Sequence, residues 1–327
     1  MFLKTTIILA WCLTVIILLV ACTSPVAPTS KETNPPDKEI VHAGKLKVLA
    51  TTSIVSNVVS LVGGEEIETT TLLPLGSDPH GFEPTPQDMT KILDADVIFA
   101  NGAGLEEFLD NLIESAGAQT KVVYVSRGIE LRQLESQPSQ GGTPDIEDDD
   151  QVGGDPHTWV DPNNVMIWVN NIRDTLSELD PQDAEYYQVN SEKYESSLKE
   201  LDTWIREQVA HVPEANRKIV SDHNLLGYFA DQYGFEQVGA VIPSYSTLAE
   251  PSASELAELE DAIKEFGVKA VFVGNTVNPS LATRVAEDTG TNLVFIYSGS
   301  LTEPGGEAGS YIDYMRYNVL TIMEALK

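Results

Sequence analysis

Apolar residues fall into two alternating periods along this chain, one of short strands and one of helices. Leu46-Lys47-Val48-Leu49-Ala50-Thr51 reads as a buried strand, and Ile54, Val55, Val58, Val59 and Val62 follow at helical spacing. Ile67 to Leu73 is rich in β-branched residues and predicts a second strand. Thr85-Pro86-Gln87-Asp88 predicts a helix start, with threonine at the cap, proline at the first position and an acid three residues on. Residues 96–100 and 121–125 predict two further strands with a helix between them.

From Pro181 to about His211 the pattern is that of one long helix. Tyr194, Leu198, Leu201, Ile205 and Val209 form a single apolar stripe, and Pro213 ends it. A second alternating set follows. Strands are predicted at 218–221, 237–242, 269–273 and 292–296. Ser252-Ala253-Ser254-Glu255 is a capping box opening a helix to about Phe266, and Tyr311 to Leu326 predicts a closing helix. The alternation predicts an α/β fold of two lobes, 45–180 and 213–327. Each is a mainly parallel sheet with flanking helices, and one long backbone helix, 181–212, joins them.

The first residues have another character. Lys4 precedes an apolar run from Ile7 to Ala21, which has the length of a signal-peptide core and not of a membrane span. The run ends at Leu19-Val20-Ala21-Cys22, which resembles the bacterial lipobox, so residues 1–21 read as a lipoprotein signal and Cys22 as the lipidated residue. Cys12 would leave with the signal, and the mature domain keeps no thiol for disulfides or metal binding. Residues 22–44, with Asn34-Pro35-Pro36-Asp37, read as a flexible tether. The stretch 133–154, with Glu147-Asp148-Asp149-Asp150 at its centre, reads as a solvated acidic loop; collecting cations is its alternative role. Fifty acidic against 20 basic residues give a net charge of −30, which excludes nucleic acid and anionic lipid surfaces as partners and suits a cation.

The chain has five histidines, and three sit in matched settings: Asp78-Pro79-His80, Asp155-Pro156-His157 and Ser221-Asp222-His223. Neutral imidazole is the commonest zinc ligand and suits several other transition metals. His80 and His223 follow predicted strands, where open α/β sheets bind ligands. His157 closes the acidic loop. Two of the three belong to the first lobe and one to the second, so a shared metal would lie in the cleft between lobes. His42 falls in the tether, and His211 is explained by its place near a helix C-terminus.

Five segments, in order, carry a resemblance. They are residues 76–86 (Gly-Ser-Asp-Pro-His-Gly-Phe-Glu-Pro-Thr-Pro), 155–162 (Asp-Pro-His-Thr-Trp-Val-Asp-Pro), 221–230, 249–252 and 311–318. From Leu46 to the C-terminus the chain resembles the cluster A-I substrate-binding lipoproteins of bacterial zinc and manganese ABC transporters. That resemblance implies a receptor, not an enzyme, lipid-anchored on the outer side of the cytoplasmic membrane or otherwise extracytoplasmic. It would act as a monomer and deliver a divalent metal to a cognate permease. It implies His80, His157 and His223 as ligands. A histidine at the third place marks zinc-type members, where manganese-type members commonly carry glutamate, so Zn2+ is the expected cargo and Mn2+ the alternative. The family's fourth ligand is an aspartate, and Gly299 stands at its position here. Water, or an oxygen of Glu303, Asp222 or Asp78, is left to complete the site.

Three other functions meet the same residues less well. Three histidines with an open place is also the pattern of a catalytic zinc, but no His-Glu-x-x-His motif is present and no acid is placed as a base. An adhesion lipoprotein would leave the histidine motifs unused. A receptor for a chelated metal would meet three imidazoles with a coordination shell already filled. Protons compete for imidazole, so unperturbed histidines with pKa near 6.5 predict loss of metal from about pH 6 downward.

Overall fold

A computed structural model describes residues 44–117, 121–133 and 154–327. The signal segment, Cys22, most of the tether and the centre of the acidic loop lie outside the described residues.

The first sheet is built from β1 (Leu46–Ala50), α1 (Ser53–Gly63), β2 (Ile67–Thr71), α2 (Pro86–Asp94), β3 (Val97–Ala100), α3 (Leu109–Ala116) and β4 (Lys121–Tyr124). Its strands are all parallel, in the order β2-β1-β3-β4. Thr52 caps α1 by accepting from the Val55 N–H, and Thr85 and Asp88 form the expected capping box on α2. Then come α4 (Pro162–Leu179) and α5 (Ala184–Val209). The second sheet follows with β5 (Lys218–His223), α6 (Gly227–Tyr233), β6 (Glu236–Ile242), α7 (Ala253–Phe266), β7 (Ala270–Gly274), α8 (Ser280–Thr289), β8 (Asn292–Ile296) and α9 (Tyr311–Leu326). It is again all parallel, in the order β6-β5-β7-β8. The fold is therefore two α/β lobes, each a four-stranded parallel sheet with helices on its faces.

Side-chain alternation assigns each strand's two faces to different cores. In the first sheet Val48, Ala50 and Phe99 join the central core, while Leu49 and Ile98 pack outward with Leu72, Ile92, Leu109 and Leu112. In the second, Ile219 and Phe272 face the centre and Val220, Val271 and Val273 face α7 and α8. The central core is continuous through α1, α4, α5 and α9, from Val55 and Trp168 to Leu198, Tyr311 and Ile322.

The long helix is shorter at both ends than the sequence suggests and is not alone. It runs from Ala184 to Val209, 26 residues and about 39 Å at ~1.5 Å per residue. It packs along α4, which the sequence reading does not anticipate although Asp161 caps it and Pro162 opens it. α5 also touches α1 and α9, so the two sheets share one helical spine. His223 is the last residue of β5 itself, where the sequence suggests a position just beyond the strand.

Candidate metal centre

Each of the three histidines is placed by the acid that precedes it. In both Asp-Pro-His motifs the aspartate accepts the histidine's backbone N–H, Asp78 Oδ1 from His80 at 3.1 Å and Asp155 Oδ1 from His157 at 3.0 Å. This is the Asx turn, in which a short carboxylate closes on the backbone two residues ahead. Asp222 Oδ1 takes the backbone N–H of the adjacent His223 at 2.7 Å. Two of these acids also hold the ring: Asp155 Oδ1 lies 2.8 Å from His157 Nδ1, and Asp222 Oδ1 lies 2.7 Å from His223 Nδ1. With Nδ1–H donated to a carboxylate, the Nε2 lone pair points away from it.

Those Nε2 atoms converge. His157 Nε2 lies 3.2 Å from His80 Nε2 and 3.1 Å from His223 Nε2. Tetrahedral bonds of about 2.05 Å would set ligand nitrogens about 3.3 Å apart, so the cluster fits one small ion. His157 and His223 are buried and His80 is half-buried. Burial, and then the neighbouring imidazoles, hold His80 and His157 well below the usual histidine pKa, in the neutral form that binds metal.

The three proposed carboxylates stay out of the cluster. Asp222 is a buried acid held below the usual carboxylate range: burial works against this, and it is overcome by the bonds from His223 and from Gly274 N–H, the latter 2.6 Å from Oδ2. Asp78 has one oxygen on His80 N–H and the other taken by Thr247 Oγ1 at 2.6 Å. Glu303 is exposed. Asp222 therefore holds the His223 ring from behind, while Asp78 holds the His80 backbone and lines the cavity with the histidines. Gly299 does line the cavity, beside Pro79, Trp159, Leu225, Thr276 and Ser298.

Other side chains brace the site through long-range contacts. Arg132, past the end of β4, reaches Asp155 Oδ2 at 3.3 Å and Asp231 Oδ2 at 2.6 Å, so it ties the His157 acid to α6. Tyr228 OH joins the same junction, accepting from Arg132 N–H and donating to Asp155 O. Trp159 packs edge-on against the His157 ring with centroids 5.2 Å apart, and its Nε1–H points to Ser298 O and Tyr314 OH. Tyr314 OH donates to Ser298 O as well, which fixes the segment bearing Gly299.

Residues 48–325 match the family described as ZnuA, zinc-uptake complex component A, periplasmic. The chain belongs to the ZnuA family. The manganese-binding lipoprotein MntA of Halalkalibacterium halodurans is 38% identical over 282 residues, covering 86% of this chain and 88% of its own. The manganese ABC transporter substrate-binding lipoprotein PsaA of Streptococcus pneumoniae is 31% identical and covers 95% of both chains. Among solved structures, a manganese-bound mutant of the periplasmic metal-binding protein of Candidatus Liberibacter asiaticus superposes with a TM-score of 0.76. It is 27% identical and covers 86% of this chain and all of its own. ZnuA-family relatives are substrate-binding components of metal transporters and not enzymes, and the two-lobe fold is theirs.

Proposed function

We propose that this ZnuA-family chain captures a divalent transition metal outside the cytoplasmic membrane and hands it to an ABC permease. His80, His157 and His223 are its ligands in this reading. The observation that carries it is the convergence of three Nε2 atoms from three separate segments, two of them backed by buried carboxylates. The cluster draws on both lobes, so opening the cleft would break up the ligand set and release the ion. The lobes in this reading are 45–180 and 213–327. The lipid anchor is Cys22, a reading supported by the relatives' names as lipoproteins.

Zinc is the cargo that the donor set favours. Three imidazoles without a carboxylate suit zinc better than manganese, which prefers oxygen ligands. Manganese is the second reading, because MntA and PsaA are named for it. Full-length protein in detergent, stripped and offered equimolar zinc and manganese, separates the two. One tightly held zinc, lost in His80→Ala and His223→Ala, supports the zinc receptor. One tightly held manganese supports the second reading. Tight binding of neither ion rejects both.

A further inference from the structure

We infer that Asn101 and Glu106 are positioning residues for metal capture: Glu106 shapes the turn after β3 so that the Asn101 amide pins the backbone leading into His157. This assignment rests on the metal-receptor reading of the three histidines.

Glu106 is buried at the C-terminal ends of β1 and β3, where its carboxylate meets three neutral donors. Oε1 takes the Thr51 hydroxyl and the Asn101 N–H, the latter at 2.7 Å, and Oε2 takes the Gly102 N–H at 3.0 Å. The chain between these donors and the acid turns through three successive left-handed residues: Gly102 at φ 82°, Ala103 at 56° and Gly104 at 82°. That conformation is uncommon for alanine and persists only where the surroundings over-determine it. A buried carboxylate closing on Asn101 and Gly102 supplies that constraint.

Asn101 is fully buried, and its side chain is committed to two carbonyls. Nδ2 donates to Gly102 O at 2.8 Å and to Pro156 O at 2.9 Å. Oδ1 is buried with no partner among the described residues. Exchanging the oxygen and nitrogen would set an oxygen against both carbonyls, so the network fixes this orientation. A buried oxygen without a partner costs stability, and most buried polar groups avoid that state. The amide at 101 is explained by what its two N–H groups hold.

Pro156 O is one end of the peptide bond into His157. The other end, His157 N–H, is held by Asp155. A planar peptide gripped at both ends has one orientation, and that orientation sets the direction in which the His157 side chain leaves the backbone. The next residue is held too: Thr158 Oγ1 shares a hydrogen bond of 2.9 Å with Ser126 Oγ, just past β4. His157 is thus fastened to the sheet of its own lobe. The His80 loop leans instead on the other lobe, through Asp78 to Thr247 and through Gly76 N–H to Ser300 Oγ at 2.8 Å. His157 Nε2 is also the atom within 3.2 Å of both other imidazoles. It is the fixed ligand on which His80 and His223 close.

A double-mutant cycle separates positioning from folding, because changes that act through one group do not add. Zinc affinity is measured on full-length protein in detergent, against chelators of graded strength. Asn101→Ser is made in the wild type, in His80→Ala and in His157→Ala. Serine suits a turn but is too short to reach Pro156 O. The expected loss is about tenfold in the wild type and in His80→Ala, and less than about twofold in His157→Ala. An equal loss in all three backgrounds would overturn the inference, since Asn101 would then serve the fold alone. No loss in the wild type would overturn it as well. If Asn101→Ser does not fold, Glu106→Gln carries the same cycle: its Oε1 keeps the bonds from Thr51 and Asn101, while its amide N–H opposes that of Gly102. Failure of both variants to fold would also overturn the inference, because the pair would then be structural. Absence of zinc binding in the unmodified protein is a different result: it would reject the receptor reading itself and the inference with it.

Discussion

Asp155 and His157 are joined twice through a single carboxylate oxygen, which accepts the backbone N–H at 3.0 Å and the ring Nδ1–H at 2.8 Å. One oxygen thus fixes the turn, the ring's orientation and its tautomer. Asp222 does the same for His223 with bonds of 2.7 and 2.7 Å. Removing an outer partner of this kind costs about 10–100-fold in metal affinity. Asp155→Ala and Asp222→Ala are each expected to lose that much zinc affinity in chelator competition. Asp155→Asn can still accept both bonds but carries no charge, so its loss should be smaller. An alanine variant with wild-type affinity would mean the rings are held by packing alone.

The acid response follows from the same pair. Burial and neighbouring imidazoles lower the pKa of His80 and His157, so both rings stay neutral and open to metal below pH 6.5. Asp155 moves the other way. Burial pushes its carboxyl up to about 7, against the pull of the His157 N–H and Arg132. A raised carboxyl pKa means a proton is held below pH ~7, and the protonated acid can still accept the His157 Nδ1–H but no longer strengthens that bond with its charge. Zinc affinity should therefore be flat above pH ~7 and decline below it. The decline should be gentler than the roughly thousandfold per pH unit that three independent imidazoles would give. Competition titrations from about pH 5.5 to 8 measure the slope. A three-proton slope starting at pH ~6.5 would show that the histidines titrate as exposed groups.

A single hydroxyl ties the β6–α7 loop to the loop bearing His80. Thr247 Oγ1 donates to Asp78 Oδ2 at 2.6 Å, while Asp78 Oδ1 holds the His80 backbone. Thr247→Val removes the donor and leaves a half-buried oxygen short of a partner, at a cost of about 1 kcal/mol, or about fivefold in an equilibrium. The bond links segments of the two lobes, so its loss should act on opening. Zinc release to a chelator in stopped flow is expected to quicken about fivefold, with capture little changed. Unchanged release would show that the contact plays no part in holding the cleft shut.

The parts of this fold that were legible in the sequence are those set by local chemistry. β8 and α9 fall where the sequence places them, and the capping boxes at Thr85 and Ser252 form as written. The histidines were legible for the same reason, since each carries its orienting acid one or two positions ahead. α4 and α8 were not anticipated, though Asp161-Pro162 was a usable start signal for α4. What the sequence could not give is long-range. Arg132 meets Asp155 and Asp231 across 23 and 99 residues, and Trp159 meets Tyr314 across 155. Asp222 and Asp78 are candidates for the fourth ligand in the sequence, and only the fold brings their oxygens to His223, Gly274, Thr247 and the His80 backbone.

Metal choice should follow the donor at position 223. His223→Glu replaces a nitrogen with an oxygen, which moves the set toward the preference of manganese. Asp222 remains directly beside it, 3% exposed and bonded to Gly274 N–H. Without an ion, the new carboxylate meets that buried acid with no imidazole proton between them. The metal-free variant should therefore melt below the wild type, and an ion that neutralises the pair should recover much of the loss. In paired titrations the ratio of manganese to zinc affinity is expected to rise about tenfold or more, the equivalent of ~1.4 kcal/mol. If the ratio stays fixed while both ions still bind, the third donor does not select the cargo, and the grounds for zinc over manganese in this chain fall with it.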